Sequence, residues 1–295
     1  MSNSPNKTEN ALEQRDNERQ SIQEIKTQAY VHGYTEREAT RLSDQAHTLA
    51  QLLHDDSRFA PGSKVLEPGC GTGAQTVILA GANPQVHFTS VDISAESLMV
   101  AREQCAKQRL TNVRFCEADL NRLPFAIKQF DHVYVCFLLE HLPEPGAALK
   151  HLRQMLKPGG AITVIEGDHG SAYYHPSSEA AQRAIQCQIG LQLNAVGDAL
   201  IGRRLYPLMI DVGFEAVHVS PRLVYADGSR PDWRAGFTLN TFTAMIEGVR
   251  TKVLATKMMD PGAFDQGIVD LKRTAQPDGV FCYTFFKATA NKPFV

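Results

Sequence analysis

Apolar residues at Leu42, Ala46, Leu49 and Leu53 recur at the four- and three-residue spacing of one helix face, and Pro61-Gly62 closes the stretch. This predicts an N-terminal helical region over residues 21–60. Residues 1–20 are polar and carry no apolar period, so a disordered tail is expected there. Beyond residue 61 the period changes. Short apolar runs at Lys64–Glu67, Val86–Val91, Val113–Phe115, His132–Phe137 and Ala161–Glu166 read as strands. Ala74–Ala80, Ala95–Gln108 and Glu144–Leu156 read as helices between them, the last stopped by Lys157-Pro158-Gly159-Gly160. Strands alternating with helices predict an α/β, doubly wound, Rossmann-like sheet that is mostly parallel.

The rest of the chain is less regular. Helices are expected over 178–195 and 199–212, a strand over 216–224, and a helical insertion over 225–278. A last strand is expected at Val280–Lys287, where Phe281, Tyr283 and Phe285 alternate. The domain is thus expected to span 61–295, with the helical region before it.

Composition narrows the partners. With 295 residues, 43% of them apolar, the chain can bury one core of this kind with a helical elaboration. Thirty basic residues face 32 acidic ones without clustering, which argues against a nucleic-acid partner. No apolar stretch approaches the ~20 residues that cross a bilayer, so no membrane association is expected. Six cysteines form no CxxC pair and no secretory signal precedes them, which points to a reducing cytoplasm. No His/Asp/Glu set has metal-ligand spacing, so no metal site is expected.

The strongest chemical signal is Val65-Leu66-Glu67-Pro68-Gly69-Cys70-Gly71-Thr72-Gly73-Ala74. Gly69, Gly71 and Gly73 let the chain turn tightly out of the first strand and bring backbone N–H groups to a ligand. The helix that follows presents its positive end. The run also satisfies GxGxxA, a form of the dinucleotide fingerprint, so a nicotinamide-dependent oxidoreductase is a rival reading. Three features favour another ligand: the third glycine, Asp119 after the third strand, and Glu67 at the strand end. An acid at Glu67 would repel a pyrophosphate and attract an amino-acid ammonium. Asp92, closing the second strand, could accept from both ribose hydroxyls; its plainer role as a helix cap is better filled by Ser94. Ile93 could pack on an adenine ring and Asp119 could accept from its amino group.

Leu66 to Gly73, Val91-Asp92-Ile93-Ser94, Ala118-Asp119, Phe130-Asp131 and Leu156 to Gly160 together resemble the class I S-adenosylmethionine-dependent methyltransferases. That resemblance implies a seven-stranded sheet with an antiparallel last strand. It also implies that Glu67 and the glycines hold the methionine part of the cofactor, Asp92 the ribose, and Asp119 with Leu120 the adenine. Cys136 and Phe137 would border the sulfonium, and the product would be S-adenosylhomocysteine. A narrower resemblance rests on Tyr30-Val31-His32-Gly33-Tyr34, Arg41 to Ala46, Leu52-Leu53-His54 and Glu166 to Ser171. These look like the small-molecule group that includes teleocidin-type and prenyl-diphosphate C-methyltransferases. There the N-terminal helix is a lid over the site and can be exchanged between subunits, which implies a homo-oligomer and a small, secondary-metabolite acceptor.

Candidate catalytic groups follow the fifth strand. Glu166, or His169 oriented by Asp168, could act as general base; the run is otherwise an ordinary polar loop. In a C-methylation of a prenyl diphosphate or other alkene, Glu166 would remove the proton from the carbocation. Tyr30 and Tyr34 lie on the lid, where aromatic faces could shield the cofactor, line the substrate site and, at Tyr34, steady a cationic intermediate. Tyr173, Tyr174, His175 and Tyr206 follow the fifth strand and could line the acceptor site, though most aromatic residues are simply core. Arg203 and Arg204 could clamp an anionic acceptor, and Mg²⁺ would then arrive with a diphosphate. His141, after the fourth strand, could approach the cofactor. A catalytically silent subunit that only binds the cofactor is a third reading.

Overall fold

The computed structural model describes residues 36–294. The expected tail, Tyr30 and Tyr34 lie outside the described residues. The elements in order are α1 (Glu36–His54), β1 (Lys64–Pro68), α2 (Ala74–Ala82), β2 (His87–Asp92), α3 (Ala95–Lys107), β3 (Val113–Glu117) and β4 (Phe130–Cys136). Then come α4 (Pro145–Met155), β5 (Leu156–His175), α5 (Glu179–Asn194), α6 (Leu205–Val212) and β6 (Glu215–Ala226). The insertion holds a π-helix (Arg234–Thr243), α7 (Ala244–Gly248), α8 (Arg250–Ala255) and α9 (Pro261–Arg273), and β7 (Val280–Asn291) closes the fold.

The seven strands form one sheet in the order β3-β2-β1-β4-β5-β7-β6. β1 to β5 are parallel, and β7 runs antiparallel between β5 and β6. The seven strands and the antiparallel last one match the expectation. The order differs from the 3-2-1-4-5-6 arrangement of dinucleotide-binding sheets, which counts against the oxidoreductase reading. Strand β1 is buried at four of its five positions, as befits a central strand covered on both faces. On one face lie α1, α2, α5 and the insertion, through Leu49, Leu53, Leu79, Ile185, Phe237 and Phe264. On the other lie α4 and α6, through Leu149, Leu152, Leu205 and Met209. The first is called the inner face below, the second the outer face.

Local chemistry sets the boundaries. Ser94 accepts from Ser97 N–H at 3.1 Å and caps α3, while Pro145 opens α4 where its missing donor costs nothing. The fifth strand departs from expectation. It does not end at Glu166 but runs on to His175, because β7 supplies partners through Asp168 and again, after a bulge, at Tyr173–His175. The Glu166–His169 run therefore lies inside a strand and not in a loop.

Helix α1 is fastened to the sheet by charges far away in sequence. The buried Lys287 ammonium of β7 donates to Leu53 O at 3.0 Å, Ser57 Oγ at 2.8 Å and Asp56 Oδ1 at 2.6 Å. It thus satisfies a carbonyl at the negative end of the helix. Arg222 of β6 also donates to Asp56. His54 lies 2.7 Å from the Tyr134 hydroxyl and 2.6 Å from Gln75 Oε1, and burial lowers its pKa to about 4.

In a π-helix, residues five apart stack on one side. Phe237 and Phe242 make one such row and pack on Phe281 and Tyr283 of β7. The next row is Thr238 and Thr243, both buried, with neither hydroxyl hydrogen-bonded.

Candidate functional site

The carboxyl edge of the parallel strands gathers the predicted cofactor residues among the described ones into two neighbouring regions. The first is built around the glycine loop. Gly69 has φ +69°, and a Cβ there would stand 2.7 Å from a Leu138 methyl, so only glycine fits between the loop and the end of β4. Gly71, φ +52°, meets open space where its side chain would be. Helix α2 starts at Gly73 with no side chain capping its first amides. Uncapped N–H groups beside open space suit a carboxylate.

The acids frame this loop. Asp92 accepts from Gly71 N–H at 2.8 Å and from Ser94 N–H at 2.9 Å, which fixes its carboxylate at the end of β2. Glu67 is buried and accepts from Thr76 Oγ1 at 2.8 Å and Ser90 Oγ at 2.6 Å. Burial, aided by the charge of Asp92, raises its pKa to about 7 despite those two hydroxyls. A cation at the loop would reverse that shift. Ile93 is exposed beside Asp92, and Asp119 is exposed after β3, its Oδ1 accepting from Asn121 N–H at 2.8 Å. Leu120 opens a 3₁₀ turn and packs half-buried under the sheet.

The second region lies past β4. Cys136 is buried on the inner face, and Phe137 holds a left-handed φ of 55° while its N–H donates to Ile165 O at 2.9 Å. Strain of this kind in a non-glycine residue is retained at sites more often than elsewhere. The Phe137 ring lies 5.3 Å from Phe285, which lies 4.8 Å from Tyr283. Phe237 and Phe242 pack on Tyr283, so this wall is aromatic and buried.

A chain of buried polar groups runs beneath it. The Tyr283 hydroxyl is 2.8 Å from His169 Nδ1, and His169 Nε2 is 3.5 Å from Glu140 Oε2. Gln192 of α5 donates to the same oxygen at 3.0 Å, and Glu140 Oε1 lies 3.6 Å from His141 Nε2. Burial would raise the Glu140 carboxyl, but the facing imidazoles of His141 and His169 and the Gln192 amide outweigh it and hold it below the usual carboxylate range. None of Tyr283, Glu140 and Gln192 was singled out beforehand. A buried acid beside histidine in Glu140-His141 was the only available signal.

Several expected roles are revised. Glu166 stands opposite Phe286, so its side chain points to the outer face. Its Oε1 accepts from Leu138 N–H at 3.0 Å and Leu139 N–H at 2.7 Å, bracing the 3₁₀ turn Leu139–His141. Oε2 is buried without a partner, and burial together with the Glu140 charge pushes the Glu166 pKa well up. A carboxyl engaged by two backbone amides and turned away from the aromatic wall does not serve as general base there. Asp168 does not orient His169: it takes a two-pronged pair from Arg203, at 2.6 and 2.7 Å. Arg204 is paired with Asp198. Tyr173 and His175 alternate onto the outer face and are exposed, as is Tyr206 on α6. The predicted anion clamp and aromatic lining are thus on the side away from Phe285 and Tyr283. Tyr174, one residue along, is the aromatic that faces inward, stacked on Phe281 at 6.2 Å.

Among the described residues no group of three or more His, Cys, Asp or Glu could hold a metal, and no helix is long and apolar enough to cross a membrane.

Comparison with known proteins places this edge in context. The profile of a family described as "methyltransferase domain" matches residues 59–212, more than half of the chain. An uncharacterized 37.1 kDa protein of transposon TN4556 from Streptomyces fradiae is 28% identical over 220 residues, covering 74% of this chain and 63% of that one. Demethylmenaquinone methyltransferase of Staphylococcus aureus is 37% identical over 112 residues, covering 38% of this chain and 46% of that one. The chain thus spans less than two thirds of the length of these curated relatives. Among solved structures, phosphoethanolamine N-methyltransferase 2 of Haemonchus contortus, with phosphomonomethylethanolamine and S-adenosylhomocysteine bound, shares the fold. Its TM-score is 0.52 at 18% identity, over 84% of this chain and 52% of that one.

Proposed function

This chain belongs to the methyltransferase-domain family, and from that premise we propose that it transfers a methyl group from S-adenosylmethionine to a small, flat, largely apolar acceptor. The observation that carries the reading is the junction of the two regions at Gly69 and Leu138, where the glycine loop meets the aromatic wall.

Bound there, S-adenosylmethionine supplies a sulfonium methyl group already activated for attack. The uncapped amides of α2 would receive the amino-acid carboxylate, and Glu67 would hold the ammonium. Asp92, its carboxylate already aimed by two backbone donors, would accept from the ribose hydroxyls. Ile93 and Asp119 would flank the adenine. Phe137, Phe285 and Tyr283 would seat the acceptor against the methyl group and keep water out. The demethylmenaquinone methyltransferase likeness supports an oxygenated conjugated ring as the acceptor. The prenyl-diphosphate version is weaker, because Arg203 and Arg204 are committed to Asp168 and Asp198. All six cysteines are free thiols, which supports a reducing, cytoplasmic setting.

Calorimetry with S-adenosylmethionine, S-adenosylhomocysteine and NAD tests the cofactor. Binding of the first two and not the third is expected, and tight NAD binding alone would end the proposal. Release of S-adenosylhomocysteine is then followed with 4-nitrophenol, reduced 1,4-naphthoquinone, indole, N-methylaniline and geranyl diphosphate. The ring compounds are expected to outrun the diphosphate. Good cofactor binding with no release in any case would favour the silent-subunit reading.

A further inference from the structure

Methyl transfer to a nucleophile that carries a proton leaves that proton to be removed, and the residues expected to do so are otherwise engaged. Glu166 braces a turn from the outer face. Asp168 is locked to Arg203. His169 has a phenol on one nitrogen and a carboxylate facing the other. We propose that the proton is taken by His141, oriented and charge-compensated by Glu140, with Gln192, His169 and Tyr283 as positioning residues that hold Glu140 in place. This rests on the methyltransferase reading of the same site.

Four observations carry it. His141 ends the 3₁₀ turn that starts beside Leu138, and the Leu138 side chain lies against Gly69 of the cofactor loop. The turn thus abuts the place where the methyl donor would lie. Second, His141 is the most accessible member of the buried chain, its side chain 22% exposed against 11% for Glu140 and 9% for His169. A proton taken at this imidazole can reach solvent. Third, Glu140 is held from several sides: Gln192 donates to its carboxylate and to its carbonyl, and Asp198 N–H donates to that carbonyl at 2.9 Å. Fourth, the turn itself is pinned by the two backbone N–H groups that Glu166 accepts. A His–carboxylate distance of 3.6 Å is long for a hydrogen bond, but such pairs are often loose before the reaction complex forms and tighten as the imidazole gains charge.

The step balances. The acceptor's electron pair forms its bond to the methyl carbon. The carbon–sulfur bond breaks with its electrons going to sulfur, giving the neutral thioether product. The acceptor's proton passes to the His141 imidazole, and the imidazolium so formed faces the Glu140 carboxylate before releasing the proton to solvent. Among the described residues, titratable groups facing Glu140 from the packed elements include Cys136 of β4, Glu166 and His169 of β5 and, through His169, Tyr283 of β7.

The test uses the full chain and, as acceptor, whichever of the five compounds named above releases S-adenosylhomocysteine fastest with the wild type. His141→Gln is expected to lower kcat about a hundredfold while the Kd for S-adenosylmethionine changes less than about threefold. His141→Ala with added imidazole is expected to regain part of that loss. Glu140→Gln is expected to shift the His141 titration, read by NMR of the ¹⁵N-histidine-labelled protein bound to S-adenosylhomocysteine, downward by about one pH unit. If His141→Gln keeps turnover within threefold, or loses cofactor affinity in step with turnover, the assignment is overturned. An unmoved His141 titration in Glu140→Gln overturns the pairing. A wild type that binds the cofactor but methylates none of the five defeats the acceptor reading beneath it instead.

Discussion

The two regions of the carboxyl edge are built in opposite ways. The cofactor region uses short contacts: Gly71 with Asp92, Asp92 with Ser94, Asp119 with Asn121. Its working groups are backbone amides and acids at strand ends, from buried Glu67 to exposed Asp119. The acceptor region uses contacts between distant parts of the chain, Glu140 with Gln192 and His169 with Tyr283, and the fastening of α1 nearby is of the same kind, His54 with Tyr134 and Lys287 with Asp56. Its groups are buried side chains that only the finished fold brings together. The first region can therefore lose function with little loss of stability, whereas the second couples the two.

The largest effect should come from Lys287. Lys287→Met leaves Leu53 O, Ser57 and Asp56 without their buried cation, and should cost about 2–4 kcal/mol in denaturant unfolding. Affinity for S-adenosylmethionine should hold within about threefold of wild type, since the clamp holds α1 and contacts none of the groups around the glycine loop. An equal loss of both would erase the distinction between the regions. Asp92→Ala is the converse: an affinity loss of about a hundredfold by calorimetry is expected if, as proposed, it makes two charge-assisted hydrogen bonds to the ribose, with a stability change near 1 kcal/mol.

Glu67 sharpens the comparison through pH. Its pKa is about 7 when folded, above the ordinary 4.5. The folded state thus binds more protons than the unfolded one between those values, and stability falls as pH rises from about 4.5 to 7. Glu67→Gln should remove that slope, so the variant without cofactor gains on the order of 2–3 kcal/mol over wild type between pH 4.5 and 7. It should also bind S-adenosylmethionine more weakly. A parallel pair of stability curves would mean that Glu67 is not held proton-bearing. The smallest effect belongs to the π-helix. Thr238→Val and Thr243→Val replace buried hydroxyls that have no partner, and each should raise stability by about 1 kcal/mol in thermal unfolding. If either instead lowers turnover with the best acceptor, that hydroxyl meets the acceptor.

The cofactor region was legible because each of its signals is local. A glycine's need for a left-handed φ, or an acid's place at a strand end, is set within ten residues, so Gly69, Gly71, Glu67 and Asp92 could be picked out together. The acceptor region was not. The substrate-lining set failed at β5, where the strand runs nine residues past its expected end. Once Glu166–His169 lies in a strand, alternate side chains face opposite sides. Tyr173 and His175 then turn outward while Tyr174 turns inward. Nothing local to residues 166–175 reveals that β7 will pair there.

By itself, the sequence determined the alternation of strands and helices, the turn that opens a ligand loop, and the acids around it. These depend on backbone dihedrals and on periodicity, which act over a few residues. The tertiary structure alone decided which way each side chain of β5 faces, that Arg203 and Arg204 are spent on Asp168 and Asp198, and that Glu140 becomes the hub of a buried chain ending at His141. Burial and charge pairing between distant residues set those outcomes. A carboxyl's proton affinity depends on what folds against it, so Glu166 and Glu140, both acids in the sequence, end with their pKa values driven in opposite directions.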